Sequence, residues 1–185
     1  RTLQGLDRPI LDSLGVDKNY RQGQRRAVQG TPILEKGDVA LEATVQETND
    51  WQQFAFPVAA TLRHFCIETL SSYTDDNQAC ISEVELLDDK GQAIDKTKWD
   101  VVYVSSELSD KNLGIGENLY DGDVSSFWHT DPVVSSTHPH QIIIDMKEIY
   151  KVSALRVKVR EGSFLSGKVK DIRIYTRPQF FLFRQ

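Results

Sequence analysis

Residues 118–130 read Asn-Leu-Tyr-Asp-Gly-Asp-Val-Ser-Ser-Phe-Trp-His-Thr, and this stretch decides how the fold is interpreted. Its Asp-Gly-Asp turn at 121–123 supplies hard oxygen ligands on a tight bend, which suits a calcium ion. Phe127 and Trp128 are suited to anchoring the turn on a core, and His129 is left at the edge, where its ring can exchange hydrogen bonds. The alternative is an ordinary turn ahead of a buried strand, because Asp-Gly pairs are common in turns.

Three later segments give this turn its context: His-Pro-His-Gln-Ile-Ile-Ile-Asp-Met at 138–146, Val-Ser-Ala-Leu-Arg-Val-Lys-Val-Arg at 152–160 and Gly-Lys-Val-Lys-Asp-Ile-Arg-Ile-Tyr at 167–175. In this order the chain resembles the discoidin family, also called the coagulation-factor type C domain, whose bacterial branch includes the family 32 carbohydrate-binding modules. The family pattern is Asp-Gly-Asp, a hydroxyl residue, Trp, a gap, a strand ending in Asp, a strand ending in Arg, and a Lys-Asp strand. The match extends from about Trp99 to Tyr175.

Most of the chain from Leu41 onward predicts short strands rich in Val, Ile, Phe and Tyr, separated by turns such as the one at 88–92. Many short strands at regular spacing are typical of a sandwich or barrel. Together with the resemblance, this predicts an all-β, discoidin-like (galactose-binding-like) β-sandwich or jelly roll. The predicted strands are 54–56, 62–70, 79–87, 99–104, 141–146, 154–159 and 169–175.

The order of these strands departs from the family. Residues 54–70 look like the arginine-bearing closing strand and 79–87 like the alanine-glutamate closing strand, yet both precede the Asp-Gly-Asp half. Either the chain holds the tail of one module and the head of another, or it is one circularly permuted sandwich joined through 88–98. We favour the single permuted domain, because each half-module would lack a partner sheet to bury its apolar face. The predicted organisation is an N-terminal extension or linker at 1–40, able to pack on the domain, and a sandwich at 41–185.

Composition narrows the class of protein. The formal net charge of −5 and pI near 5.4 argue against a nucleic-acid binder, which usually has a basic face. No apolar run approaches the roughly 20 residues that span a bilayer, so no membrane insertion is expected. The sequence opens at Arg1 without a signal peptide, which is typical of a trimmed fragment or mature form. The family resemblance implies a secreted, periplasmic or cell-surface location.

Two cysteines and one pair of histidines offer further chemistry. Cys66 and Cys80 lie in strand-like stretches, so we expect two buried free thiols; a disulfide closing the short loop between them is the alternative. His138 and His140 share one strand face and form a conceivable transition-metal pair. A structural role in the loop is the more common outcome for such a pair.

The predicted metal site is a structural calcium site. Asp121, Asp123 and the hydroxyl or carbonyl of Ser126 lie on one turn, and calcium takes six to eight oxygen ligands. The resemblance implies a further ligand, the glutamate of the alanine-glutamate strand, which corresponds to Glu83. That ligand would tie the two permuted halves together. The alternative is that the two aspartates only cap a turn and that Glu83 is a surface charge.

The resemblance also implies a sugar site. In the carbohydrate-binding branch, a histidine just after the tryptophan and an arginine after the next strand pair contact a galactose-type sugar; these correspond to His129 and Arg160. Glu107 is a candidate accepting partner and Phe164 a candidate stacking ring. Each has a structural alternative: a cap on the tryptophan turn for His129, an ion pair with Glu161 for Arg160, a core position for Phe164 and a plain surface position for Glu107.

No phosphate-binding loop, nucleophile elbow or zinc-protease motif is present in the sequence. The family resemblance implies a noncatalytic carbohydrate-binding module of a secreted or surface bacterial glycan-degrading protein, and the absence of these motifs agrees with that expectation. Its partners would be a glycan and other domains of the same polypeptide. One alternative is a structural or protein-interaction (adhesion) module of a larger multidomain protein, and another is a small hydrolase or lyase.

Overall fold

A computed structural model describes residues 33–35, 37–133, 137–162, 166–177 and 182–183. Short 3₁₀ helices at Asp110–Asn112 and Gly116–Tyr120 accompany the strands. The strands in chain order are β1 (Ile33–Glu35), β2 (Asp38–Thr44), β3 (Gln52–Thr69), β4 (Cys80–Ile81), β5 (Glu83–Asp88), β6 (Asp100–Val104), β7 (Trp128–His129), β8 (His140–Lys158), β9 (Asp171–Arg177) and β10 (Leu182–Phe183).

Two strands are much longer than the sequence predicts. The predicted pieces 54–56 and 62–70 are parts of β3, and 141–146 and 154–159 are parts of β8. The predicted breaks are irregularities within continuous strands, since the β3–β8 register shifts between Ala55 and Ala60. Pro57 lies at this shift, where its missing N–H removes no ladder hydrogen bond. The predicted breaks between these pieces therefore correspond to irregularities within a strand rather than to strand ends.

The main sheet has the order β2-β9-β3-β8-β5, and β6 also pairs with β8; all of these pairings are antiparallel. The first half of β8 pairs with β6 and its second half with β5, while β3 accompanies it along both halves. Strands from both sides of the 88–98 segment therefore interleave in one sheet. The permuted order relative to the family and the domain boundary near residue 40 stay predictions; β2 already begins at Asp38.

One connected hydrophobic core joins the main sheet to the β4–β7 pair. Its largest fully buried side chains include Trp128, Tyr103 and Phe65, and the edge of Phe65 packs against Trp99. The predicted all-β, discoidin-like β-sandwich class is confirmed. Within the described ranges, no helix combines the length and apolar character required to cross a membrane.

The two cysteines are buried free thiols, as the sequence predicts. Cys66 lies near the end of β3 and Cys80 in the short strand β4. The alternative of a disulfide closing the loop between them is therefore not what the structure has.

A buried acid in β8, Asp145, is paired with an arginine and a histidine of β3. Arg63 donates to Asp145 Oδ1 at 2.8 Å and Oδ2 at 2.9 Å, and His64 Nε2 lies 3.5 Å from Oδ1. Burial alone would raise the pKa of Asp145, but the hydrogen bonds from His64 and Arg63 outweigh it and hold that pKa well below its usual range. A carboxylate with a depressed folded-state pKa stabilises the fold above its unfolded pKa, and this stabilisation is lost as pH falls.

We expect Asp145→Asn to lower the free energy of unfolding at pH 7 by about 2–4 kcal/mol, because it leaves a partly buried guanidinium without its bidentate partner. The wild type should lose this advantage as pH falls below about 4, the unfolded pKa of aspartate. Chemical denaturation at pH 7 and pH 3 measures both effects. Glu148→Gln, which changes an exposed acid three residues away, is the control and should have little effect. An equal loss in both variants would contradict the assignment.

Candidate functional site

The candidate site is built on the two-residue pairing of β4 with β7, in which Cys80 lies opposite His129 and Ile81 opposite Trp128. Trp128 is fully buried, and its Nε1 donates to the carbonyl of Ser106 at 3.0 Å. The predicted role of Trp128 as an anchor is thus observed. Because strand residues alternate in direction, the anchoring of Trp128 fixes the opposite orientation for its neighbour His129.

A close-packed loop holds the backbone of His129 from the other side. The His129 carbonyl accepts from Leu108 N at 2.7 Å, and His129 N donates to the Gly114 carbonyl at 3.1 Å. A Cβ on Gly114 would lie 2.9 Å from the Cβ of His129, so only glycine permits this approach. The loop therefore fixes the position of the histidine backbone.

His129 is buried, with 6% of the residue exposed, and one short contact defines the hydrogen-bonding role of its ring. Its Nδ1 lies 2.6 Å from the backbone carbonyl of Thr130. A carbonyl oxygen only accepts, so Nδ1 carries the proton, and in the neutral ring Nε2 is then an acceptor. A neutral His129 ring in this tautomer therefore offers Nε2 as an acceptor.

Arg160 and His129 flank the same aromatic ring. The guanidinium carbon of Arg160 lies 3.9 Å from the centroid of Phe127, and the ring of His129 meets Phe127 edge-on at 6.3 Å. The alternative pairing of Arg160 with Glu161 is not observed, because Glu161 accepts from Lys158 Nζ at 2.7 Å. The structure therefore brings the two predicted sugar-contacting residues together around Phe127, which is itself 8% exposed.

Cys80 lies beneath this cluster and carries no reactive thiolate. Burial raises the pKa of its thiol to about 12, although the nearby Arg160 guanidinium acts in the opposite direction. Burial therefore disfavours the thiolate, which is the nucleophilic form of cysteine.

Glu107 and Phe164 are the other two predicted sugar-binding residues. Glu107 is 2% exposed, and its Oε2 accepts from Gly116 N at 2.9 Å, which anchors the start of the Gly116–Tyr120 helix. The alternative of a plain surface position for Glu107 is not what the structure has, because its carboxylate is buried and accepts from a backbone N–H. Phe164 lies outside the described residues.

The Asp121 turn gathers several oxygens around one hydroxyl. Ser126 Oγ lies 2.6 Å from Asp121 Oδ2, 3.0 Å from the Asp123 carbonyl and 3.4 Å from the Asn118 carbonyl. The carboxylate of Asp123 instead accepts from the backbone N of Ser125 at 2.9 Å and from its hydroxyl at 2.6 Å. Asp123 therefore contributes its carbonyl oxygen to the cluster, while its side chain caps the turn.

Glu83 reaches this turn from β5 and is not a surface charge. Its side chain is 1% exposed, and Oε1 accepts from Gly122 N at 2.8 Å. Burial raises the pKa of Glu83 to about 7, opposed by the hydrogen bond from Lys96 and reinforced by one with Asp121. Lys96 Nζ contacts the other carboxylate oxygen, Oε2.

The donor set of this turn matches the chemistry of a calcium ligand sphere. Glu83 and Asp121 are carboxylates that lie side by side, and the backbone carbonyls of Asn118 and Asp123 with the Ser126 hydroxyl add neutral oxygens. Within the described ranges, no group of three or more His, Cys, Asp or Glu side chains is placed to hold a metal ion. Any ion at this turn would therefore depend on backbone and hydroxyl oxygens as well as the two acids.

The two histidines of the 138–140 segment are tied to backbone carbonyls. His140 Nε2 lies 2.6 Å from the Asn77 carbonyl, and His138 Nδ1 lies 3.2 Å from the Thr69 carbonyl. Their rings meet edge-on at 4.8 Å, and burial lowers the pKa of each. These contacts correspond to the structural role expected for such a pair.

Sequence reasoning missed three residues of this region. Phe127 is interpreted from the sequence as a core anchor, but it also supports Arg160. Asn118 donates from Nδ2 to the carbonyls of Phe127, Leu113 and Asn112, at 3.0, 3.3 and 3.2 Å. Lys96 lies in the 88–98 segment, which the sequence predicts only as the connection between the two halves of the sandwich. No local motif indicates its contact with Glu83.

Comparisons with known proteins agree with this architecture. The family model described as "F5/8 type C domain" matches residues 101–179, which is 79 of the 185 residues. A sialidase of Micromonospora viridifaciens is 31% identical over 85 residues, covering 45% of this chain and 13% of the sialidase. The chain thus spans only a small part of that relative. The part of the chain that carries most of β6 to β9 and the site around His129 is therefore the part that matches the F5/8 type C (discoidin) family model.

Proposed function

We propose that this domain is a noncatalytic glycan-binding module of a larger glycan-active protein, and that its ligand is a galactose-type sugar. The observation that carries the proposal is that His129 and Arg160 both contact the ring of Phe127. Domains of the F5/8 type C family often bind carbohydrate in glycan-active proteins, and they are usually noncatalytic. The galactose-type specificity rests on the resemblance at these two positions.

The cluster has the complementary chemistry that sugar hydroxyls require. A hydroxyl both donates and accepts, so the acceptor His129 Nε2 and the donor fork of Arg160 are suited to neighbouring hydroxyls of one ring. Phe127 lies flat beneath the guanidinium and is too covered to offer a wide stacking surface. We infer recognition through hydroxyl groups with modest affinity, since each new hydrogen bond replaces one to water.

Two features of the cluster favour preorganisation. The Arg160 guanidinium is supported by a ring rather than extended freely into water, which reduces the side-chain entropy lost on binding. His129 is fixed by the Thr130 carbonyl and by the close approach of Gly114. A site whose side chains are already held needs little rearrangement to bind a small sugar.

A structural calcium ion is the second part of the proposal. Asp121, Glu83 and Ser126 would hold it with the carbonyl oxygens of Asn118 and Asp123, and it would supply positive charge to the two adjacent carboxylates. Because Asn118 also bonds the Phe127 carbonyl, the proposed ion would order a turn that is directly connected to the sugar site.

The cellular context is proposed from the comparisons. A relative named sialidase suggests that the module serves a glycan-active polypeptide, where attachment to a catalytic domain would raise the effective concentration at the glycan. A secreted, periplasmic or cell-surface location on a bacterium would give it access to such glycans.

A structural or adhesion module is the competing function, and one observation favours it. His129 is 6% exposed and Phe127 8% exposed, so the free apolar and polar surface at the cluster is small. A module that only spaces or docks other domains would tolerate such a covered site. Binding measurements on variants of the cluster separate the two functions.

We expect Arg160→Ala to weaken galactose-type glycan binding at least about tenfold, because it removes the donor fork and uncovers Phe127. Glycan-array screening followed by titration calorimetry on the best hit gives the measurement. Arg156→Ala is the matched control: it removes an arginine lying 4.8 Å from the ring centroid of Trp51, and binding should be unchanged. A well-folded wild type that binds no glycan would overturn the sugar proposal in favour of the structural module.

We expect calcium to raise the thermal midpoint of the wild type, and Asp121→Asn to abolish that rise. Stabilisation at 100 times the dissociation constant is about 2.7 kcal/mol. Asp123→Asn should keep most of the calcium effect, because only its carbonyl faces the oxygen cluster. Thermal unfolding with calcium and with EGTA provides the comparison. Equal loss of the calcium effect in both variants would show that the Asp123 side chain is a ligand after all.

A further inference from the structure

Glu83 is engaged on both carboxylate oxygens by different kinds of partner. Oε1 accepts from Gly122 N at 2.8 Å, and Oε2 contacts Lys96 Nζ, which also lies 3.3 Å from the Val84 carbonyl. The side chain of Glu83 is 1% exposed and that of Lys96 is 19% exposed. A nearly buried acid is therefore paired with a lysine whose side chain is only partly covered.

We propose that Lys96 is an internal cation that occupies Glu83 when no metal ion is bound, and that calcium binds by displacing it. This inference rests on the calcium site of the proposed function and adds a competitor to it. The competitor belongs to the 89–99 connection between β5 and β6.

The geometry indicates which partner of Glu83 a calcium ion would displace. Gly122 N belongs to the backbone of the same turn that supplies the other oxygens, so an ion bound there leaves it in place. Lys96 approaches from outside the turn on a flexible four-carbon stem, with part of its surface already in water. Since an ammonium group and a calcium ion repel each other, the lysine is the group that leaves.

The backbone of Lys96 is held by a hydrogen bond from Trp99, so displacement requires movement of the side chain alone. The Lys96 carbonyl accepts from Trp99 N at 3.2 Å, Trp99 is 4% exposed, and its ring lies 5.7 Å from that of Tyr120. Tyr120 directly precedes Asp121. The stem is thus fixed close to the turn, and only the distal part of the side chain has to swing out.

This arrangement has a consequence for the calcium-free protein. Removing one partner of a buried ion pair is strongly destabilising, because the remaining charge stays uncompensated. With Lys96 in place, Glu83 is neutralised in the absence of an ion, and the sandwich remains folded. The same contact weakens calcium binding, since the ion gains only the difference between its own interaction and that of the lysine.

The first test compares calcium affinities by titration calorimetry. Lys96→Met keeps the length of the side chain and removes its charge, and we expect calcium to bind it at least about tenfold more tightly than the wild type. Lys98→Met is the matched control: it removes the same charge two residues away, from an exposed side chain paired with Glu148 at 3.6 Å. Its calcium affinity should equal that of the wild type.

The second test uses the unaltered protein, so it does not depend on Lys96→Met folding without calcium. Amine acetylation is followed residue by residue by mass spectrometry, with calcium and with EGTA. We expect calcium to increase labelling of Lys96 several-fold and to leave Lys98 unchanged. Unchanged or reduced labelling of Lys96 in a protein that binds calcium would overturn the displacement and leave the calcium site intact.

Other outcomes separate this inference from the function on which it rests. Binding of calcium by Lys96→Met but not by the wild type would overturn displacement, because Lys96 would then be a permanent occupant that calcium does not remove. Equal affinities of all three proteins would overturn the inference alone. Absence of calcium binding in every variant would overturn both the inference and the calcium site, while the glycan measurement with Arg160→Ala would still decide the sugar site independently.

Discussion

The pairing of β3 with β8 is the constraint on which the rest of the structure depends. These strands run side by side from Gln52 opposite Val157 to Thr69 opposite His140, through two register shifts. Every other strand of the main sheet pairs with one of them or with β9, which itself pairs with β3. Because the partners change from β6 to β5 along β8, one pair of strands supports both halves of the domain.

The candidate sites occupy places where this framework ends. β8 finishes at Lys158, and Arg160 emerges two residues later over Phe127. β5 begins at Glu83, the residue that meets the Asp121 turn. Both functional side chains are therefore attached to rigid strands, whereas the groups they meet lie on short loops fixed by buried contacts. Sites held this way keep their geometry without needing a deep pocket.

Much of this could be predicted from sequence because the signals are local or belong to a known pattern. The alternation of apolar residues reveals the strands, and the resemblance to the discoidin family places Glu83 beside the Asp121 turn, which lies 38 positions further along the chain. The features that the sequence does not predict also have a physical cause. Whether Asp123 directs its carboxylate toward an ion or toward Ser125 depends on side-chain torsions that residue type does not determine.

The sequence pattern does not predict contacts between charged residues that are separated along the chain. Lys96 contacts Glu83 across 13 positions, in a segment whose composition only indicates a polar connection. Glu107 shows the same limit, because an acid after a strand is ordinarily exposed, and only the folded loop reveals its backbone partner at Gly116. In both cases a buried carboxylate required a donor. Burial of Glu83 and Glu107 demands a donor for each carboxylate, and for Glu83 one of those donors is Lys96, the lysine that we propose as the competitor of an ion.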